Sequence, residues 1–287
     1  MRRWLFGFLR LMRPINCLMM GLAVIVGASL VGLSSMSEAW SNVVYGFITG
    51  FTLTAASMAI NDYYDRKIDA INEPGRPIPS GQVKPGEALV FALSLTVIGL
   101  VTAYLTNTAY PVCLPTAIVA WIISVAYTTV GKRSGLPGNF LVSLCVSIPF
   151  VYGSVAVANE LRLNVLLFAS IVFLSITGRE ITKGIVDVQG DKAHNVKTLA
   201  VRYGEKKAAV AAALFYLSAV ALSPTPWLLG IVSFWFIPLV AATDIGLTAS
   251  SLILLRNYSR ENSRRIKNIV LLWFIFGLLA FIIGAAT

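Results

Sequence analysis

Two short stretches gather most of the residues in this chain that could do chemistry. The first reads NDYYDRKIDAINEPGRPIPSG over 61–81, and the second reads DVQGD over 187–191. If a helix carries through the first, Asn61, Asp65 and Asp69 stand at i, i+4 and i+8 on one face, with Asp62 beside them. Asp187 and Asp191 are likewise one helical turn apart. Hard carboxylate oxygens of this kind suit Mg²⁺, which binds through one or two carboxylates and takes its other ligands from water and phosphate. Asn61, Asp62, Asp65, Asp69, Asp187 and Asp191 are therefore the candidate metal ligands. Two such clusters facing one another would hold a diphosphate through bridging Mg²⁺, with two ions in the simplest arrangement.

Basic residues are interleaved with these acids. Arg66, Arg76, Lys132, Arg179 and Lys183 would complete an electrostatic clamp on a leaving group that gains charge as its bond to carbon breaks. The departing carbon would be an allylic cation, which survives only in a dry apolar cavity. The aromatic faces of Tyr63, Tyr64 and Tyr127 would help to stabilise it. Arg13 and Asn16, at the entrance of the first apolar stretch, and Lys132, remote in sequence from both acidic clusters, are candidates for the acceptor end of the site. Asp65, Asp69, Asp191 and Lys132 are the candidate catalytic residues.

The elements that must position these groups are apolar helices. Of 287 residues, 57% are hydrophobic and 13% charged, against the roughly 25% charged residues of soluble domains. Nine apolar stretches, near 15–34, 39–60, 88–106, 110–130, 138–158, 163–182, 208–223, 227–255 and 268–286, approach the length a helix needs to cross a bilayer. Lipid leaves no partner for unpaired backbone groups, and no period-2 alternation suggests a barrel, so the expected fold is an all-α integral membrane bundle of nine helices. No linker or low-complexity segment interrupts it, and 1–287 reads as a single domain.

Charge orients this bundle. With the N-terminus cytoplasmic, 22 of the 23 Lys and Arg fall on that side and only Arg162 on the other. The acidic stretches then sit on the cytoplasmic face of the cell membrane. The net charge of +10 reads as topology plus attraction to anionic lipid and phosphate; no separate basic domain suggests nucleic acid. Cys17, Cys113 and Cys145 lie within apolar stretches and form no disulfide or metal-binding pattern. The basic and apolar N-terminus mimics a secretory signal, but its run of about 20 residues opens a polytopic pattern and reads as a retained first span.

Each singled-out residue also has a plain structural reading. The acids could be solvated loop residues in weak surface ion pairs, although so many at turn spacing, in a chain with 13 acids, argue against it. The bases could serve topology alone. Asp244, inside an apolar stretch, is either functional or a structural hydrogen bond between helices. Tyr63 and Tyr64 could anchor the membrane interface, and His194 reads as an ordinary loop residue. Pro79 and Gly81 suit a turn; Pro149 and Pro238 are expected to kink their spans.

The motifs NDxxDxxxD at 61–69 and DxxGD at 187–191 resemble the two metal-binding motifs of the UbiA superfamily of membrane prenyltransferases, and the resemblance covers essentially the whole chain. Within it, RPIN at 13–16, AINEPGRPIPSG at 70–81, GN at 138–139, REITK at 179–183 and LSPTPWLLG at 222–230 most resemble the archaeal digeranylgeranylglyceryl phosphate synthases. The resemblance implies transfer of a geranylgeranyl group from geranylgeranyl diphosphate to the free glycerol hydroxyl of geranylgeranylglyceryl phosphate, forming the second ether bond of archaeal membrane lipid. It implies metal and diphosphate roles for the six candidate ligands, phosphate contacts for Arg66, Lys132, Arg179 and Lys183, and a substrate contact for Asn139. The chain departs from that pattern at Gly184 and Val186, where the archaeal enzymes carry acidic residues.

Two other readings stay open at this level. NEPGRPIPSG also resembles chlorophyll synthases, so an aromatic or porphyrin acceptor is an alternative. A transporter of an anionic solute is the rival from another class, but transporter sites lie near the bilayer midplane, whereas these charges sit at span ends.

Overall fold

The computed structural model describes residues 2–193 and 195–286; His194 lies outside the described residues. Among the described residues every regular element is helical. The chain divides into two compact units, one formed by Met1–Ala28, Ser34–Thr129 and Pro149–Glu160, the other by Ser29–Leu33, Val130–Ile148 and Leu161–Thr287.

The first unit opens with α1 (Arg2–Met12) and α2 (Pro14–Ser29), whose axes bend by 48° where they meet. Pro14 has no amide hydrogen and cannot continue the preceding helix, so α1 ends at Met12. Arg13 between them takes a left-handed φ of 52°, and its amide donates to the Arg10 carbonyl at 3.3 Å. A short α3 (Leu33–Glu38) leads to α4 (Trp40–Asn72), followed by α5 (Pro85–Leu105) and α6 (Cys113–Thr129). At 1.5 Å per residue, the 33 residues of α4 run roughly 50 Å, about 20 Å more than a hydrocarbon core.

Small residues set the closest approach in this unit. A Cβ on Gly27 would lie 2.0 Å from the Phe150 carbonyl oxygen, and one on Gly153, in α7 (Leu136–Ala158), would lie 1.9 Å from that of Val24. Without a lipid-excluding hydrophobic force between helices, such backbone-to-backbone packing is a main source of adhesion. Gly153→Ala should therefore cost about 1–3 kcal/mol through forced separation. A lowered melting temperature in detergent is expected, while Gly86→Ala, with no atom within 4 Å of the new Cβ, should melt like the parent. Equal melting of the two variants would contradict this packing.

The second unit contains the start of α7, then α8 (Leu163–Val186), α9 (Val188–Ala193), α10 (Leu199–Tyr203), α11 (Glu205–Leu222), α12 (Thr225–Leu228), α13 (Phe236–Arg256) and α14 (Arg260–Ala286). Ile181 and Ile185 of α8 pack with Tyr216 of α11, Leu247 and Leu254 of α13, and Val270 of α14. Gly178 leaves room for the Tyr216 ring, whose hydroxyl lies 3.2 Å from Thr182 Oγ1. This contact fixes the rotation of α8 just before its functional end.

Among the described residues seven helices are long and apolar enough to cross a membrane, and α1 with α2 gives an eighth if the bent pair is one span. The stretch expected at 110–130 is helical as α6, but with 17 residues it falls short of that length. The chain is thus an all-helical, multi-pass membrane protein. The stretch read as one span over 227–255 is divided: α12 ends before Gly230, which has a φ of +67°, and α13 begins at Phe236. Pro238 consequently sits in the first turn of α13, where its missing N–H breaks no helical bond, and not at a mid-span kink. Pro149 does lie inside α7.

Candidate active site

In the first unit, the acidic motif is not a loop. Helix α4 runs through it to Asn72, which places Asn61, Asp65 and Asp69 on successive turns. Asn61 Nδ2 donates to Asp65 Oδ2 at 3.1 Å. Asp62, Asp65 and Asp69 are all buried despite their charge. Asp69 stands in the last turn of α4, where the macrodipole is equivalent to roughly half a negative charge and disfavours a further anion, and Asp65 and Asp62 stand one and two turns before it. Local structure therefore leaves this corner in need of cations.

Two arginines supply some of that charge. Arg13 Nη2 donates to Asp62 Oδ1 at 2.5 Å. Arg76 Nη1 donates to Asp69 Oδ2 at 2.7 Å and reaches Asp62 Oδ1 at 3.4 Å. Arg76 is held there by the turn after α4. The turn closes through the bonds Arg76 N–H to Glu73 O (2.9 Å) and Ser80 N–H to Arg76 O (2.9 Å), with Gly81 at a φ of +72°. Ile78 and Val83 of this turn are buried with Leu11, Ala59 and Ala88. Burying such aliphatic side chains is worth about 1.5–3 kcal/mol each, enough to pin the turn. Gly7 of α1 sits on the same plug, where a Cβ would lie 2.8 Å from Val83 Cγ2.

The other candidates of this unit are arranged less directly. Arg66 is turned back on its own helix: its Nη1 donates to the Tyr63 carbonyl at 2.7 Å and its guanidinium lies 4.3 Å from the Tyr63 ring centroid. Tyr64 is exposed, Tyr127 half-buried and Asn16 exposed.

In the second unit, α8 ends at Val186 and Asp187 caps it. Chain direction changes there, and α9 carries Asp191, whose amide donates to the Asp187 carbonyl at 2.9 Å. Asp187 is exposed and Asp191 half-buried. Asp187 again stands at the negative end of a helix dipole, and Arg260 Nε donates to the Val186 carbonyl at 3.1 Å beside it. One acid was missed in the sequence: Glu180 accepts from Arg179 Nη1 at 3.4 Å and Lys183 Nζ at 3.5 Å, with a side chain only 10% exposed. Its spacing of three residues from Lys183 was the available signal. Arg179 Nε is buried with no hydrogen-bond partner among the described residues, so this guanidinium retains a donor for a ligand.

Lys132 lies in a single 3₁₀ turn, Gly131–Arg133, and is exposed; Asn139 follows in the first turn of α7 and is half-buried. The Lys132 turn is fastened to the segment after Asp191, because the Lys197 amide donates to the Arg133 carbonyl at 3.2 Å. Gly135, at a φ of +79°, permits the approach; a Cβ there would lie 2.2 Å from the Lys197 carbonyl oxygen. Asp244 of α13 accepts from Ser223 Oγ at 2.6 Å, which is the interhelical hydrogen bond of its structural reading. Its Oδ1 is buried without a partner among the described residues, and the residue is one of those lining an open groove of about 390 Å³.

Among the described residues no three acidic, His or Cys side chains converge as a complete metal cage. Mg²⁺ does not require one, since it binds through one or two carboxylates and completes its shell with water and substrate phosphate. The oxygen-only donors at the C-terminal ends of α4 and α8 fit that ion.

Residues 20–278 match the model of the UbiA prenyltransferase family. A digeranylgeranylglyceryl phosphate synthase of Archaeoglobus fulgidus is 34% identical over 291 residues, covering 99% of this chain and 97% of the relative. A solved structure of digeranylgeranylglyceryl phosphate synthase in membranes is 32% identical, covers 99% of both chains and superposes with a TM-score of 0.86. A UbiA homologue from Archaeoglobus fulgidus bound to GPP and Mg²⁺ is 18% identical, covers 96% of this chain and 99% of that one, and shares the fold with a TM-score of 0.67.

Proposed function

Because this chain belongs to the UbiA prenyltransferase family, we propose that it transfers the geranylgeranyl group of geranylgeranyl diphosphate to the free glycerol hydroxyl of geranylgeranylglyceryl phosphate. The observation that carries this reading is end-to-end similarity, above 30% identity, to synthases of that name. The reaction breaks the bond between the prenyl C1 and the diphosphate oxygen and joins C1 to the glycerol oxygen. The hydroxyl loses its proton, and diphosphate leaves.

Asn61, Asp62, Asp65, Asp69, Asp187 and Asp191 are the residues that would hold Mg²⁺. When bound, it supplies neutralisation of the charge that grows on the leaving diphosphate. The chain's own cations act in the same sense. Arg76, pinned beside Asp69, and Arg179, with its unpartnered Nε, contact phosphate oxygens, and Lys183 adds a point charge near Glu180. Arg66, packed on Tyr63, presents a guanidinium and an aromatic face together.

The acceptor brings a second phosphate, which no metal is required to hold. Lys132 and Asn16 are assigned to the acceptor end, Arg13 to the donor side because it pairs with Asp62, and Tyr127 and Asn139 to contacts with the substrates. With the shorter α6 counted as a span, the apolar helices make a bundle of nine that acts as one catalytic domain over 1–287, with the N-terminus and the acidic motifs cytoplasmic and two Mg²⁺ ions in the working site. This orientation is supported by the distribution of Lys and Arg, 22 of 23 on one side.

A test uses the purified protein with Mg²⁺ and radiolabelled geranylgeranyl diphosphate, offered in parallel geranylgeranylglyceryl phosphate, hydroxybenzoate and chlorophyllide. Label is expected only in an acid-stable diether phosphate. Label in a prenylated aromatic or porphyrin, with none in the diether, would overturn the acceptor assignment.

A further inference from the structure

Arg13 and Arg76 lie on the same carboxylates that the proposed function gives to metal. Asp62, with a side chain 3% exposed, takes both guanidiniums, and Asp69, 8% exposed, takes Arg76; the arginines themselves are about one-third exposed. A carboxylate this buried is costly unless a cation accompanies it. Vacating Asp62 and Asp69 together therefore requires that another positive charge arrive. Both arginines can be redirected without unwinding a helix, because Arg13 stands in the break between α1 and α2 and Arg76 in the turn after α4.

We propose that Arg13 and Arg76 are exchangeable counter-cations, which occupy Asp62 and Asp69 before substrate arrives, hold off the bare divalent ion, and turn to the phosphate oxygens of the prenyl diphosphate when it enters with metal. This rests on the reading of Asp62 and Asp69 as metal ligands. A bare ion must displace two guanidiniums and then stand beside them, positive against positive. A diphosphate arriving with the ion offers each displaced guanidinium an anionic, bidentate partner instead. Metal and diphosphate therefore bind as a coupled pair, each tightening the other by the same factor. The enzyme is thereby kept from holding metal at an empty site, where it would lack its substrate ligands.

The full-length protein in detergent is titrated with Mn²⁺, the free ion being read by electron paramagnetic resonance, with and without geranylgeranyl thiolodiphosphate, an analogue that does not react. Wild-type protein should bind bare Mn²⁺ weakly and at least tenfold more tightly with the analogue. Arg13→Gln and Arg76→Gln should each bind bare Mn²⁺ severalfold more tightly than wild type, yet bind the analogue less tightly. Tightening by the analogue also follows from its own oxygens, but a gain in bare-ion affinity on losing a cation does not follow from a merely structural role. Bare-ion affinity unchanged or weakened in both variants, with the wild type still responding to the analogue, overturns the inference alone. A wild type that takes up no Mn²⁺ even with the analogue overturns the metal assignment and the inference with it. Absence of coupling in the wild type is decisive whether or not the variants fold.

Discussion

Chelation with EDTA should bring geranylgeranyl transfer by the purified protein down to background, and added Mg²⁺ or Mn²⁺ should restore it. The physical reason is the mismatch between what the leaving group needs and what the side chains offer. Diphosphate departs with several negative charges, while the carboxylates of Asp62, Asp65 and Asp69 crowd one helix end and Arg13 and Arg76 are already engaged with two of them. Without an added dication the developing charge is repelled by these carboxylates, and the remaining bases, Arg179 and Lys183, must offset both. Lewis-acid neutralisation is worth several kcal/mol, and about 1.4 kcal/mol is a factor of ten in rate, so a loss of about three orders of magnitude or more is expected. The measurement is radiolabelled ether product against graded free Mg²⁺. Full turnover in metal-free buffer would exclude the metal assignment.

Asp65→Ala and Asp191→Ala should each cut kcat by about two to three orders of magnitude, the size of loss seen when one preorganised contact with developing charge is removed. The two residues probe different units of the chain and differ in setting, Asp65 being buried and Asp191 half-buried. Asp65→Ala takes from the Asn61 amide a hydrogen bond worth about 0.5–1.5 kcal/mol, so melting in detergent should fall modestly while activity collapses. Asp62 would be a poorer probe, because its removal also strips Arg13 and one contact of Arg76, mixing stability with catalysis. Single-turnover rates of product formation beside thermal melts separate the two effects. Near-normal kcat in either variant would remove that residue from contact with metal or diphosphate.

Much of this site was legible because helical periodicity is a local property. The i, i+4, i+8 spacing of Asn61, Asp65 and Asp69 is realised on α4, and the turn between Asp187 and Asp191 is realised as a backbone bond. The apolar stretches all form helices, since lipid offers the backbone no alternative. What was not legible depends on turns and on choices between partners. Nothing in the spacing of Arg76 indicates that burial of Ile78 and Val83 folds it back onto Asp62 and Asp69. Pro14 marked an end to α1, but the pairing of Arg13 with Asp62, 49 residues away, is tertiary. Arg66 had the right charge and an equally good neighbour in Tyr63. Hydropathy alone merged α12 with α13, because the connecting residues between Gly230 and Phe236 are themselves apolar.

The bond from the Lys197 amide to the Arg133 carbonyl, with no room for a Cβ at Gly135, makes one mechanical part of two connections that are far apart in sequence. Under the proposed assignment, one carries the group that grips the acceptor's head and the other follows an acid that serves the donor's head. An enzyme joining two long-chain amphiphiles must keep their heads in register whatever the lengths of their tails. Here part of that register is cut into the main chain itself, like the fixed jaw of a caliper.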